Sequence, residues 1–145
     1  MTIRKTRNRI AEEKHLAQGQ ASEKEGSWPE AIKHYTAVLK KNPAHILANS
    51  RLMIIYRKLK EHQKELEIIN KAIISLGQHI EETQMAWINE HSGIAKSTEA
   101  LAKSLDLLTS SGLPRYQNEF VDKWEKRKLM LLKRLQAKKS KTKIN

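Results

Sequence analysis

Cysteine is absent from this chain of 145 residues, and glycine and proline are scarce. Without cysteine there is no disulfide framework, no thiolate nucleophile and no thiolate metal site, which fits a reducing compartment, so we expect a cytoplasmic location. Only five glycines and three prolines leave few turns, which favours long helices over many short strands. No apolar run approaches the roughly 20 residues of a membrane span, and the basic residues 1–10 lack the apolar stretch of a secretory signal.

Charge of one sign is concentrated at the two ends of the chain. The net charge is +12, of which residues 1–10 carry +4 and residues 115–145 carry +8. The segment 11–114 has 13 basic and 13 acidic side chains and is neutral. A helical body needs no such excess, so the ends require an account of their own.

The clearest internal signal is a faint repeat at an offset of 34 residues. The apolar stripe of the first copy is Ala31, Ile32, Tyr35, Val38 and Leu39, and its counterpart in the second copy is Leu66, Ile69, Ala72 and Ile73. A period of about 34 residues is the length of one helix–turn–helix solenoid unit. One hairpin cannot bury its apolar face alone, so we expect the hairpins to stack.

Apolar periodicity predicts a series of helices. They lie over about 10–24, 28–41, 45–59, from 61 onward, 94–108 and 114–136. Gly26 is expected to end the first helix in a left-handed conformation, and Ser27 and Glu30 have the spacing of a capping box. Gly19 lies inside the first helix, where glycine costs roughly 1 kcal/mol relative to alanine, so we expect a neighbouring helix to approach it closely.

The segment 62–91 allows two interpretations. Its apolar residues alternate spacings of three and four, which is typical of a coiled-coil seam and predicts one long helix. Gly77 can instead end a first helix, and the sequence slightly favours this break. The same seam, between residues 66 and 87, allows self-association of the chain.

The first copy of the repeat resembles the tetratricopeptide repeat, a family of stacked helix–turn–helix units. That family has small residues where its helices approach closely, an aromatic residue in the second helix and a closing proline. Gly19, Ala31, Tyr35 and Pro43 match this pattern. The resemblance covers about residues 12–76, near half of the chain.

Both copies also depart from the family's pattern. In the second copy Tyr56 and Ala72 match, but the closing proline is missing. The residues that replace a family aromatic, alanine or small residue are Ser22, Val38, Met53 and Glu65.

Members of this family commonly bind extended peptides in a concave groove lined by the first helix of each repeat, so the resemblance implies a protein or peptide partner. Carried over by position, the groove residues are Glu13, Leu16, Gln20, Glu23, Lys24, Leu47, Ser50, Ile54, Arg57 and Lys58. One branch of the family clamps the C-terminal carboxylate of a chaperone. Leu16, Gln20 and Arg51 occupy the clamp positions here, so we do not expect binding of a heat-shock chaperone.

The basic ends lead to a second hypothesis, contact with an acidic partner or with phosphate. The residues that would make it are Arg4, Lys5, Arg7, Arg9, Lys126, Arg127, Lys138, Lys139, Lys141 and Lys143. No aromatic residue is interleaved with the tail lysines, so base stacking is not expected there. Contacts of this kind are independent of nucleotide sequence and sensitive to salt. The alternative is that these residues only keep the chain in solution.

Trp124 lies among basic residues of the last predicted helix and has two interpretations. In the first, it docks on the repeats as part of a capping helix while the lysines face solvent. In the second, the helix is a basic amphipathic element that meets nucleic acid, an anionic membrane surface or an acidic protein.

No motif of a catalytic or metal site is present. None of the six histidines pairs with another at a spacing of three or four residues, and H-E-x-x-H does not occur. The adjacent Glu81 and Glu82 point to different sides of a helix. Glycine-rich phosphate loops and a nucleophile elbow are also absent. We therefore expect no enzymatic activity, no cofactor and no metal.

Together these features predict an all-α protein, a short helical-repeat solenoid of two to three helix–turn–helix units with a C-terminal capping helix. The predicted divisions are a basic arm over 1–10, a repeat domain over 11–112, a capping helix over 113–136 and a disordered basic tail over 137–145. The expected function is a non-enzymatic scaffold for a protein or peptide partner, with homo-oligomerisation also allowed. The alternative is a nucleic-acid-associated protein that contacts phosphates through its ends.

Overall fold

The computed structural model describes residues 2–93, 98–99 and 118–144, with side chains for 3–93, 98–99 and 118–141. The helices whose bounds it gives are α1 (Thr2–Lys24), α2 (Trp28–Lys41), α3 (Ile46–Lys58), α4 (His62–Glu90) and α5 (Glu119–Ile144). Strands are absent from these residues, and the predicted all-α class is confirmed. Most of the helix predicted over 94–108, and the start predicted for the last helix, lie outside the described residues.

Each of these five helices packs on the next one in the series. The principal contacts are those of α1 with α2, α2 with α3, α3 with α4 and α4 with α5. The core consists of two apolar clusters, and α3 contributes to both of them. Ala48, Leu52 and Ile55 face α2, whereas Met53 faces α4 and α5. α3 is therefore the central element of the described fold.

The close approach expected at Gly19 is present between α1 and α2. A Cβ atom added at Gly19 would lie 2.8 Å from Cε1 of Tyr35, closer than two carbon atoms tolerate. Tyr35 is fully buried in the cluster that joins α2 and α3. Glycine at this position lets α1 rest directly on the aromatic ring.

The turn between α1 and α2 is a Schellman motif, which differs in part from the prediction. Gly26 has the expected positive φ, of 74°. The backbone N–H of Gly26 donates to the carbonyl of Glu23, and that of Ser27 donates to the carbonyl of Ser22. Ser27 is the N-cap of α2, but its side chain makes no capping hydrogen bond. The reciprocal bond of a capping box also needs the backbone N–H of Ser27 as its donor. That N–H already donates to the carbonyl of Ser22.

Residues 62–90 form one helix, α4, so the break favoured at Gly77 is wrong. Ile69 and Leu76 are buried, and Ile73 and Ile80 pack against the same cluster. Burial of this seam outweighs the roughly 1 kcal/mol that an interior glycine costs. The first part of the seam is therefore used within the chain.

Both terminal helices are longer than the sequence predicted. α1 begins at Thr2, where a separate arm over 1–10 was expected, and α5 continues to Ile144, through the tail expected to be disordered. Each extension continues a helix that is already anchored by packing. Propagation then needs no new nucleus, and lysine, arginine, alanine and glutamine are good helix formers.

A polar turn that the sequence did not predict joins α2 to α3. His45 is the N-cap of α3, and its Nδ1 accepts a hydrogen bond from the backbone N–H of Ala48 at 3.2 Å. The buried Asn49 donates from Nδ2 to the carbonyls of Pro43 at 3.0 Å and His45 at 2.9 Å. These bonds fix the direction in which α3 leaves the turn.

Candidate partner-binding groove

Two adjoining recesses lie along α3. The α1–α3 recess has a volume of about 710 Å³ and lies between the C-terminal half of α1 and α3. The α3–α5 recess has a volume of about 490 Å³ and lies between α3 and the first turns of α5. Both are lined by Leu47 and Arg51, so they adjoin along α3, and we call the pair the groove.

Most of the residues carried over from the family resemblance line this groove. Gln20, Glu23, Lys24, Leu47 and Lys58 line the α1–α3 recess, and Leu47, Ser50, Ile54 and Arg57 line the α3–α5 recess. The other two do not. Leu16 packs against the cluster between α2 and α3, and Glu13 lies midway along α1, where it pairs with Arg9.

The groove also contains a wall that sequence reasoning did not assign to it. Phe120, Lys123, Trp124 and Arg127 of α5 line the α3–α5 recess. Trp124 is only 4% exposed and belongs to the cluster with Met53 and Ile69, so the docked interpretation of Trp124 describes its place in the fold. The apolar spacing of the last helix was the signal available for this packing, but it did not reveal which helix α5 would face.

A partly buried ionic contact in the lining of the groove joins α1, α2 and α3. Both Nε and Nη2 of Arg51 donate to the carboxylate of Glu23, the former at 3.0 Å. The hydroxyl of Tyr35 donates to the same carboxylate at 2.8 Å. Glu23 was predicted as a partner contact, and in this structure its carboxylate holds three helices together.

These contacts set the ionisation of the Glu23 group. Burial by itself raises the pKa of Glu23, but hydrogen bonds from Arg51 and Tyr35 outweigh it and hold the pKa below its ordinary value. Burial and the adjacent carboxylate raise the pKa of Tyr35 to about 12. Glu23 is therefore ionised and Tyr35 neutral at physiological pH.

A second buried acid, Glu65, joins α3, α4 and α5. Arg127 donates from Nε to Oε1 at 2.8 Å and from Nη2 to Oε2 at 3.3 Å, and Arg57 donates from Nε to Oε1 at 3.2 Å. Glu65 is fully buried in the first turn of α4, where the helix dipole favours a negative charge. Glu65, which stands where the tetratricopeptide-repeat pattern has alanine, thus anchors α5.

The basic side chains of the groove differ in how far they already contact other groups of the chain. Nζ of Lys58 lies 5.2 Å from the ring centroid of Trp28, a cation–π distance. Arg57 keeps about half of its side chain exposed although it contacts Glu65. Lys123 is exposed and has no ion pair with any residue that the structure describes.

The residues predicted to contact phosphate are not gathered in one place. Arg4, Lys5, Arg7 and Arg9 are exposed on the first turns of α1, where Arg9 pairs with Glu13. Arg127 binds Glu65 and is mostly buried, so the acid it contacts belongs to this chain. Lys126, Lys138, Lys139 and Lys141 are exposed on α5, and the side chain of Lys143 lies outside the described residues.

Three further observations bear on metal and membrane binding. His15 and His34 meet across α1 and α2 with their Nδ1 atoms 3.4 Å apart, a pairing hidden from the sequence by 19 residues of separation. Within the described ranges, no cluster of three or more histidine, aspartate or glutamate side chains is arranged to hold a metal ion. Within the same ranges, no helix is both long and apolar enough to cross a bilayer.

Comparison with known proteins adds no relative. No protein-family model, no curated protein and no solved structure matches this chain significantly.

Proposed function

We propose that this chain is a non-enzymatic adaptor of the tetratricopeptide-repeat type that binds a segment of a partner protein in the groove. In this proposal α1 with α2 and α3 with α4 are two stacked helix–turn–helix units, and α5 caps them. The packing of α1 on α2, of α2 on α3 and of α3 on α4 supports such a solenoid, because repeat proteins are held together by contacts between neighbours.

The observation that carries the proposal is the location of the groove. Residues chosen from the sequence alone, on family resemblance, line two adjoining recesses on α1 and α3. Their apolar lining, which we call the floor, includes Leu47, which is 40% exposed, and the half-buried Ile54. Exposed apolar side chains in a concave, partly charged surface are typical of protein-binding sites.

The proposal is tested by crosslinking from a basic residue that lines the groove. A photoreactive residue replaces the exposed Lys123 in the full chain, and proteins crosslinked in cell lysate are identified by mass spectrometry. The same capture is repeated with Leu47→Asp, which places a charge on the groove floor. Leu47 lies in the first turn of α3, where an acidic residue is favourable to the helix, so this variant is expected to fold.

Ile74→Asp is the matched control, because Ile74 is 60% exposed on α4 and does not line the groove. We expect a crosslinked partner that is lost with Leu47→Asp and retained with Ile74→Asp. Partners that are retained with both variants, or lost equally with both, contradict the groove as the binding site.

A second candidate function, phosphate binding by α5, rests on one specific observation. α5 continues as a helix to Ile144, and the chain has no acidic residue after Glu125. An exposed helix with charges of one sign attracts nucleic acid without reading its sequence. Lys133, Arg134, Lys138 and Lys141 are exposed along its distal part.

Gel shifts across a salt series test this second candidate. Each lost phosphate contact is expected to reduce the slope of log affinity against log salt by about 0.9 on duplex DNA. The four residues are changed together to glutamine, and the control removes four exposed lysines elsewhere, Lys14, Lys40, Lys64 and Lys71. Equal slopes for the two quadruple variants contradict a specific role of α5.

A further inference from the structure

We infer that the segment bound in the groove is an acidic protein segment with apolar anchor residues. The inference rests on the proposed function and specifies its partner. It is carried by the distribution of apolar and charged side chains over the described part of the α3–α5 recess.

Six apolar residues line the α3–α5 recess, and we use the word floor for this apolar lining. They are Ile46, Leu47, Met53, Ile54, Phe120 and Trp124. A volume of about 490 Å³ holds a few partner side chains rather than a whole domain. Burying a leucine or phenylalanine there contributes about 1.5–3 kcal/mol, so the partner segment needs apolar residues that point into the recess.

Four basic residues line the same recess, and we use the word rim for this basic lining. They are Arg51, Arg57, Lys123 and Arg127, and no acidic side chain among the described residues lines the recess. The acids that contact these groups are Glu23, which lines the neighbouring recess, and the fully buried Glu65. The α3–α5 recess is therefore lined by positive groups, whereas the acids that contact them do not line it.

Compensation at the rim is incomplete. Glu65 is one carboxylate held by two guanidinium groups, those of Arg57 and Arg127, which leaves one positive charge in excess. Lys123 adds a second, because no described residue forms an ion pair with it. Arg57 is about half exposed, so its remaining N–H groups can donate to an incoming carboxylate.

The surroundings of these charges favour an acidic segment and disfavour a basic one. Beside an apolar floor the effective dielectric is lower than in bulk water, which strengthens pairing with a carboxylate. A lysine-rich segment would instead be repelled, and like-charge contacts across an interface are a source of specificity.

A protein segment fits this recess better than a nucleic acid. A phosphate backbone has no apolar groups to bury on the floor. Trp124, the tryptophan that lines the recess, is 4% exposed, so its face is not open for base stacking. The apolar floor and the basic rim together require a ligand with both apolar side chains and carboxylates.

Selection from an unbiased display library tests the inference. The full chain is the bait for random peptides of about 15 residues, a length that spans α3 when helical or extended. Selection is done in about 150 mM salt, where the Debye length is about 8 Å and long-range attraction to the basic ends is screened. Groove-dependent peptides are those that bind the Ile74→Asp variant but do not bind the Leu47→Asp variant.

We expect the groove-dependent peptides to be net acidic relative to the starting library, with apolar residues spaced along one side. Groove-dependent peptides that are neutral or basic overturn the inference and leave the proposed function standing. The absence of any groove-dependent peptide overturns both.

Affinity measurements on one selected peptide localise the charge effect. Arg57→Gln with Lys123→Gln is compared with Lys14→Gln and Lys71→Gln, which remove the same charge from exposed positions outside the groove. We expect about tenfold weaker binding for the groove pair and little change for the control pair. Lys123→Gln alone, at an exposed position, must also weaken binding, and equal affinities in the two pairs overturn the inference.

Discussion

Nε of Arg127 lies 2.8 Å from Oε1 of the fully buried Glu65, a contact between residues 62 positions apart that joins α5 to α4. Arg127 also lines the α3–α5 recess, so the contact lies in the wall of the groove that α5 forms. An acid buried at this position would be costly without compensation. α5 is therefore held by an ionic contact as well as by Val121, Trp124 and Leu131 in the core.

Removal of this contact is expected to destabilise the chain. Arg127→Met keeps much of the packing but leaves Glu65 with Arg57 alone, which is about half exposed. We expect a loss of about 2–3 kcal/mol in the free energy of unfolding, measured by urea denaturation. Lys126→Met, on an exposed neighbouring position, is the control and is expected to change it by less than about 0.5 kcal/mol. Similar values for the two variants contradict this role of Arg127.

The sign of the stability change on replacing Gly19 by alanine tests its contact with Tyr35. Alanine in a helix interior normally stabilises by up to about 1 kcal/mol relative to glycine. At Gly19 the added Cβ would lie 2.8 Å from Cε1 of Tyr35. We expect Gly19→Ala to lower the melting temperature, because overpacking costs about 1–3 kcal/mol. Gln18→Ala, an exposed change in the same helix, has no such cost, and an increase in melting temperature for Gly19→Ala refutes the contact.

The Glu23 contact predicts a loss of stability in acid. The folded chain holds the pKa of Glu23 below 4.5, so below about pH 4.5 the unfolded chain binds more protons than the folded one. The stabilisation is thus complete above that pH and disappears as pH falls through the folded-state pKa. Glu23→Gln should cost about 1–2 kcal/mol at pH 7 and progressively less below pH 4.5. If the free energy of unfolding of Glu23→Gln differs from that of the unchanged chain by the same amount at every pH, this role of Glu23 is contradicted.

Local features of the fold were accessible from the sequence because they depend on neighbouring residues. The stripe around Tyr35 and the positive φ of Gly26 follow from periodicity and from the conformational freedom of glycine. The close approach of a neighbouring helix at Gly19 was predicted from the cost of an interior glycine, although Tyr35 was not predicted as the contact. The same reasoning failed at Gly77, since burial of the apolar seam kept α4 continuous.

The ionic contacts were not accessible in this way. Glu65 is separated from Arg127 by 62 residues, and Glu23 from Arg51 by 28, so no local spacing connects them. Their pairing depends on how α5 and α3 are placed by the core. The sequence therefore predicted many of the groove residues on α1 and α3, but neither the α5 wall nor the engagement of Arg127.

The affinity of a groove-dependent peptide before and after Leu47→Asp tests the central claim most directly. The peptide is titrated into the full chain, its Leu47→Asp variant and its Ile74→Asp variant, with folding of each verified by circular dichroism. The account predicts at least about tenfold weaker binding for Leu47→Asp, about 1.4 kcal/mol, and nearly unchanged binding for Ile74→Asp. Equal affinity for all three chains would contradict it.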